Sequence, residues 1–333
     1  MLLLTTLFVP YTLHGCSAGV SSPHSELVSR YYKTLGTHKA VAGTRGLVNL
    51  GNTCYWNSIM QILMHAKGFR TAFCELGVVQ DEVLNEFRKV LNEEYTLSQE
   101  PIDPRNLYSA FNRLNPQFFD VKVQQDPDEA LLAVYSIILK ATASERPDML
   151  PKFNLFEFIY ARDVFCSDRS VEPTSTVLVQ ENKVVLTLPF DLGRRGIAVD
   201  LDAQLKAHFA SELVEDLELC QRRPGMVATR MATAPKLLLL LVQRNFHGLA
   251  KNNIPVSYPY FIHAIPGVEG ARYTLSGVVH HRGPVSNSGH YTADFLHPDS
   301  GGWYEADDSR VVPIRAPENP SRAAYLFIYE KVE

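Results

Sequence analysis

Gly46-Leu47-Val48-Asn49-Leu50-Gly51-Asn52-Thr53-Cys54-Tyr55-Trp56-Asn57-Ser58 runs directly into Ile59-Met60-Gln61-Ile62-Leu63-Met64. A turn-prone segment with two glycines and two asparagines ends at a cysteine, and apolar residues at helical spacing (Ile59, Ile62, Leu63, Ala66) follow at once. The pattern predicts a helix with Cys54 at its N-terminus, where unpaired N–H groups and the positive end of the helix dipole favour a thiolate. A free thiol with pKa near ~8.5 falls to roughly 3.5–7.5 in such surroundings, most of all beside an imidazolium. The competing reading is a buried structural cysteine that packs as a small hydrophobe.

The stretch resembles the cysteine box of the ubiquitin-specific proteases, papain-like enzymes that cleave after ubiquitin's C-terminal glycine. The match to G-L-x-N-L-G-N-T-C-Y-x-N-S-x-x-Q is nearly continuous from Gly46 to Gln61. Trp56 stands where the family usually carries a smaller apolar residue, so packing there is expected to differ. The resemblance implies Cys54 as nucleophile and Asn49 as side-chain donor to the oxyanion, a kind of contact whose loss costs about 10²–10³ in rate.

Composition is compatible with that reading. The 333 residues, 46% of them hydrophobic, suffice for a large single domain with subdomains, and the net charge of −4 argues against a nucleic-acid partner. Five scattered cysteines (Cys16, Cys54, Cys74, Cys166, Cys220) do not form the dense framework of a small secreted domain, so a reducing compartment, cytoplasmic or nuclear, is expected. Residues 1–13 are apolar and nearly uncharged and precede Cys16-Ser17-Ala18, which leaves a secretory signal as the minority alternative to an apolar extension. No segment has the length of a membrane span.

Helical periodicity continues over Val79–Tyr95, after Asp103-Pro104 and after Asp126-Pro127. From about Phe156 the chain changes to short β-branched and aromatic runs: Phe156–Val164, Val177–Leu188, Lys236–Val242, Tyr273–His280, Tyr291–Phe295 and Ala324–Tyr329. Antiparallel sheet is predicted, interrupted by a helix near Leu201–Phe209. The segment Gln124-Gln125-Asp126-Pro127-Asp128-Glu129 reads by itself as a capped helix start with acidic residues in its first turn. It is similar to the family's glutamine box, which makes Asp126 a candidate contact for the ubiquitin tail.

Tyr273–Gly283 and Gly289-His290-Tyr291 resemble the family's histidine box, with His290 as general base. His280 and His281 are adjacent on a strand and must face opposite ways. Arg282–Ser288 reads as a loop bordering the substrate channel. A hairpin returning through Trp303-Tyr304-Glu305-Ala306-Asp307-Asp308 brings a carboxylate to the imidazole: Asp307 lies opposite His290 if the connecting loop holds four residues, and a five-residue loop moves the register toward Asp308. The family pattern favours Asp307 as the triad acid, with Asp308 as a supporting residue or the alternate.

Family members often bind zinc between two C-x-x-C pairs at their fingertips. Here Arg169 and Arg223 stand where each second cysteine would be, so no metal or other cofactor is expected, and Cys166 and Cys220 are left to pack together. The resemblance implies an α+β, papain-like right hand: an extension over residues 1–44, then a catalytic domain over 45–331, with a helical thumb to about 150 and β fingers and palm beyond. The implied protein is a monomeric deubiquitinating hydrolase. A catalytically inactive ubiquitin-binding module and a protease for a ubiquitin-like modifier are the alternatives.

Overall fold

The predicted helix begins on the cysteine itself: α1 spans Cys54–His65, and every residue in it is buried. A helix enclosed on all sides needs internal partners for its polar side chains. Ser58 Oγ donates to the Tyr55 carbonyl at 2.7 Å, Gln61 Nε2 to the Arg45 carbonyl at 2.8 Å, and Asn57 Nδ2 to the Asp308 carboxylate at 2.8 Å. The structure, a computed structural model, describes residues 41–332 except 167–172, 184, 189–197, 245–250 and 286–287. The reading of residues 1–18 as signal or extension therefore lies outside the described residues.

Around α1 lie α2 (Lys67–Glu75), α3 (Glu82–Glu94), α4 (Arg105–Leu114), α5 (Pro127–Glu145) and the single turn α6 (Leu150–Phe153). Asp81 caps α3 by accepting the Leu84 N–H at 3.0 Å, as an Asp just ahead of a helical apolar run is placed to do. Phe73 stacks on Phe87 at 4.5 Å between ring centroids and meets Phe153 edge-on at 5.0 Å, which ties α2, α3 and α6 together. Trp56 is fully buried and edge-on to Tyr108, but its Nε1–H has no acceptor among the described residues. The larger ring in this position thus fills volume while leaving a polar atom unsatisfied.

The strands are β1 (Phe158–Phe165), β2 (Ser175–Lys183), β3 (Val185–Leu188), β4 (Val199–Asp200), β5 (Glu212–Leu217), β6 (Arg223–Met231), β7 (Leu237–Val242), β8 (Val256–Ser257), β9 (Phe261–Ile262), β10 (Arg272–Val285), β11 (Ser288–Leu296), β12 (Trp303–Asp307), β13 (Arg310–Ile314) and β14 (Ala324–Val332), with helix α7 (Leu201–His208) after β4. Among the described residues they form a large sheet in the order β13-β12-β11-β10-β14-β7-β3, with β9 paired to β10, and a four-stranded sheet in the order β2-β1-β6-β5. Pairing is antiparallel as predicted, except that β3 runs parallel to β7 and β4 parallel to β8.

β7 explains the uninterrupted apolar run Leu237–Val242. All six residues are buried, because Leu237, Leu239 and Leu241 pack toward the helices while Leu238, Leu240 and Val242 pack toward α7 on the opposite face. Each fully buried leucine contributes about 1.5–3 kcal/mol, so this strand fastens two cores to one sheet.

Three sequence expectations change. Val177–Leu188 is two strands in different sheets. Most of the expected loop Arg282–Ser288 is strand, since Arg282 pairs with His290 and Val285 with Ser288. Cys166 and Cys220 form a disulfide across 54 residues: β1 ends beside the turn joining β5 to β6, and the antiparallel pairing of β1 with β6 makes them neighbours. Both sulfurs are committed to that bond, in place of the free thiols expected from their scatter. No helix among the described residues is long and apolar enough to cross a membrane.

Candidate active site

Cys54 is the free cysteine among the described residues and is 3% exposed. Its sulfur receives the Gln124 Nε2–H at 3.3 Å. Burial pushes the thiol pKa up, the Tyr291 N–H and Gln124 pull it down, and the Asp308 carboxylate pushes it up again. The predicted lowering at the helix N-terminus is thus outweighed by desolvation.

His290 lies on β11, between the two residues that reach this sulfur. The Tyr291 N–H helps to lower the thiol pKa, and Gly289 is joined to the sulfur through Gln124. His290 Nε2 is 2.6 Å from Asp307 Oδ1, both side chains being 40% exposed. When Nε2–H donates to the carboxylate, Nδ1 is left as the basic nitrogen. The hairpin that carries them differs from the expected one. Leu296 pairs with Trp303, so residues 297–302 make a six-residue connection, and Ala293 pairs with Ala306. Carried one pair further, this register sets Thr292 opposite Asp307 and makes His290 its diagonal neighbour. A slip of two residues preserves the face, which is why Asp307 still meets the ring.

Asp308 lies just beyond the strand, with a carboxylate oxygen still within 4.8 Å of a His290 ring nitrogen. It sits in the two-residue turn between Asp307 and Arg310 with φ of 50°, a left-handed conformation that Asp adopts more readily than most residues. Its Oδ2 accepts Asn49 Nδ2 and its Oδ1 accepts Asn57 Nδ2, each at 2.8 Å. Its backbone carbonyl accepts the Leu47 N–H, also at 2.8 Å. A Cβ on Gly46 would lie 2.2 Å from the Ser309 carbonyl carbon, so only glycine permits the cysteine box to approach this turn so closely. Asn49, expected to face an oxyanion, gives one of its two amide hydrogens to Asp308, while its Oδ1 accepts the Gly51 and Thr53 N–H groups.

Asp126 occupies the N-cap position of α5 without capping it; its carboxylate accepts the Tyr291 hydroxyl at 3.0 Å instead. Asp128 accepts the Tyr325 hydroxyl at 2.9 Å, and burial pushes both carboxyls up. His280 and His281 diverge as predicted. His280 pairs with buried Asp294 at 2.8 Å, and His281 stacks on Tyr291 with ring centroids 4.4 Å apart. Ligand atoms of His290, Asp307 and Asp308 lie within 4.8 Å, near enough to share a metal ion, but each already serves a hydrogen bond described above.

The residue missed in the sequence is Gln124. It stands in the segment from which only the acid was singled out, and nothing in its spacing distinguishes it from Gln125.

Gly289 is a second point of close approach in the site. A Cβ there would lie 2.4 Å from His281 Nε2 and 2.7 Å from the Arg282 carbonyl oxygen. Gly289→Ala is expected to push β11 away from β10, displace His290, and reduce kcat/KM about 10²-fold, the cost of a displacement near 1 Å at reacting groups. Steady-state hydrolysis by the variant, with its melting temperature as control, measures this.

A family model described as ubiquitin carboxyl-terminal hydrolase matches residues 45–329. The chain belongs to that family. Among its relatives, the probable ubiquitin carboxyl-terminal hydrolase 3 of Schizosaccharomyces pombe is 24% identical over 93% of this chain and 78% of its own length. Ubiquitin carboxyl-terminal hydrolase 2 of Rattus norvegicus is 25% identical over 96% of this chain and 59% of its own length. Ubiquitin carboxyl-terminal hydrolase 23 of Arabidopsis thaliana is 27% identical over 85% of this chain, which spans only 35% of that relative. The fold is shared with one chain of a solved structure of the SAGA DUB module of Ubp8, Sgf11, Sus1 and Sgf73 bound to monoubiquitin, at TM-score 0.74 and 19% identity over 93% of this chain and 75% of that chain. The α+β fold is therefore the papain-like one of ubiquitin-specific proteases.

Proposed function

We propose that this ubiquitin carboxyl-terminal hydrolase family member is a deubiquitinating cysteine protease that cleaves after the C-terminal glycine of ubiquitin on protein substrates. The observation that carries the reading is the hydrogen bond between His290 on β11 and Asp307 on β12, with the residue before His290, Gly289, joined to the Cys54 sulfur through the Gln124 amide. In this reading α1–α6 are the thumb, the four-stranded sheet the fingers and the large sheet the palm. His290 Nδ1 takes the Cys54 proton, and the thiolate attacks the glycine carbonyl. The imidazolium returns the proton to the leaving lysine amine, and water, deprotonated by His290, hydrolyses the thioester. Ion pairing with the imidazolium opposes the desolvation that disfavours the thiolate.

Asn49 serves the oxyanion, with Asp308 holding its amide. Asp126, which accepts the Tyr291 hydroxyl, lines the path of the ubiquitin tail. Fluorogenic amides of ubiquitin and of ubiquitin-like modifiers test the assignment. Hydrolysis of ubiquitin amide in preference to the others is expected; turnover of another modifier alone would reassign the substrate, and binding of ubiquitin without turnover of any would make this a recognition module.

A further inference from the structure

Gln124 lies three residues ahead of α5 and is half-buried. Its Nε2 gives one hydrogen to the Gly289 carbonyl at 2.8 Å and points the other at the Cys54 sulfur at 3.3 Å, while its Oε1 accepts the Gly289 N–H at 3.2 Å. Both hydrogens of the amide and its oxygen are thereby engaged with the site. A single side chain satisfies both backbone groups of Gly289, as a neighbouring strand would, and Gly289 immediately precedes His290.

The remaining N–H has a different partner. A thiol accepts hydrogen bonds weakly, whereas a thiolate accepts them strongly, so a donor fixed beside the sulfur favours the charged form. Asn49, the other side-chain amide near the nucleophile, gives one of its two amide hydrogens to Asp308. We infer that Gln124 is a positioning residue that sets His290 and Cys54 against each other with one amide, gripping the strand before the imidazole and donating to the reactive sulfur. The inference deepens the reading above, because it takes Cys54 and His290 as the reacting pair.

Gln124→Met keeps the side-chain length but removes the amide; Gln124→Glu keeps an acceptor for Gly289 and sets a carboxylate beside the sulfur. The rate of iodoacetamide alkylation of Cys54 against pH reports the thiol without any ubiquitin. Its inflection is expected to rise by about one pH unit in Gln124→Met, the equivalent of one charge-assisted hydrogen bond, and further in Gln124→Glu. Hydrolysis of ubiquitin amide should lose about tenfold or more in kcat, with KM little changed. Melting temperatures identify a variant that has lost its fold, and the other then decides.

Alkylation curves that coincide with wild type in a folded variant would overturn the inference and leave Gln124 as a strut for Gly289. If the inflection shifts but wild type hydrolyses no ubiquitin amide, the role at the sulfur stands and the deubiquitinase reading falls. If hydrolysis is seen and the inflection does not move, the reverse holds.

Discussion

Cys54→Ala is expected to abolish covalent capture by a ubiquitin bearing a C-terminal electrophile and to lower hydrolysis of ubiquitin amide by about 10⁴-fold or more, while ubiquitin affinity is kept. The variant removes one atom that the proposed chemistry cannot replace. It leaves the scaffold in place, since residue 54 is the first of a buried helix and alanine has a higher helix propensity than cysteine. The lost sulfur leaves a small void, worth about 1 kcal/mol, against a core in which the rest of α1 is still buried. Nothing that holds the neighbouring strand depends on it, because Gln124 grips Gly289 through two hydrogen bonds of its own. Intact-mass analysis of the adduct reads the result. Persistence of the adduct in Cys54→Ala would move the nucleophile elsewhere, and failure of wild type to form one despite binding would remove the hydrolase.

The site was legible in the sequence wherever chemistry and local geometry coincide, and illegible wherever a distant segment decides. Cys54 starts α1 because the residues after it are apolar at helical spacing, a purely local property. His290 and Asp307 meet because strand alternation puts them on one face, and that survived a mistaken loop length because the error was even. Asp126 shows the limit. An Asp before Pro at a helix start reads as a cap, but the Tyr291 hydroxyl, 165 residues away, takes its carboxylate. Gln124 and the Asn49–Asp308 contact are likewise tertiary, with partners 165 and 259 residues distant. Among the strands, β5 and β6 show no clear apolar alternation, since β5 is Glu-Leu-Val-Glu-Asp-Leu with no buried residue and β6 opens on Arg-Pro-Gly, and β13, at the edge of the large sheet, also has no fully buried residue.

Asp307→Asn and Asp308→Asn are expected to fail in different ways. Asparagine at 307 cannot both accept Nε2–H and balance an imidazolium, so kcat should fall about 10²–10⁴-fold. Stability should change by less than about 1 kcal/mol, because the pair is 40% exposed on both sides. Asparagine at 308 tolerates the φ of 50°, which keeps the turn intact and confines the change to the carboxylate. Two amides, from Asn49 and Asn57, then compete for one oxygen while the new amide nitrogen faces the loser. The cost should be about 2–4 kcal/mol of stability, as for one or two hydrogen bonds to a charged group. The catalytic effect is mixed. Loss of the negative charge removes one influence that raises the Cys54 thiol, so the alkylation inflection should move to lower pH. Release of the Asn49 amide should meanwhile cost about 10–10² in kcat. Measured together, kcat, urea unfolding and the alkylation profile separate a residue that orients the base from one that holds the oxyanion donor. A larger loss of kcat in Asp308→Asn than in Asp307→Asn, at equal stability, would mean that the carboxylate facing the imidazole here is not the one on which turnover depends.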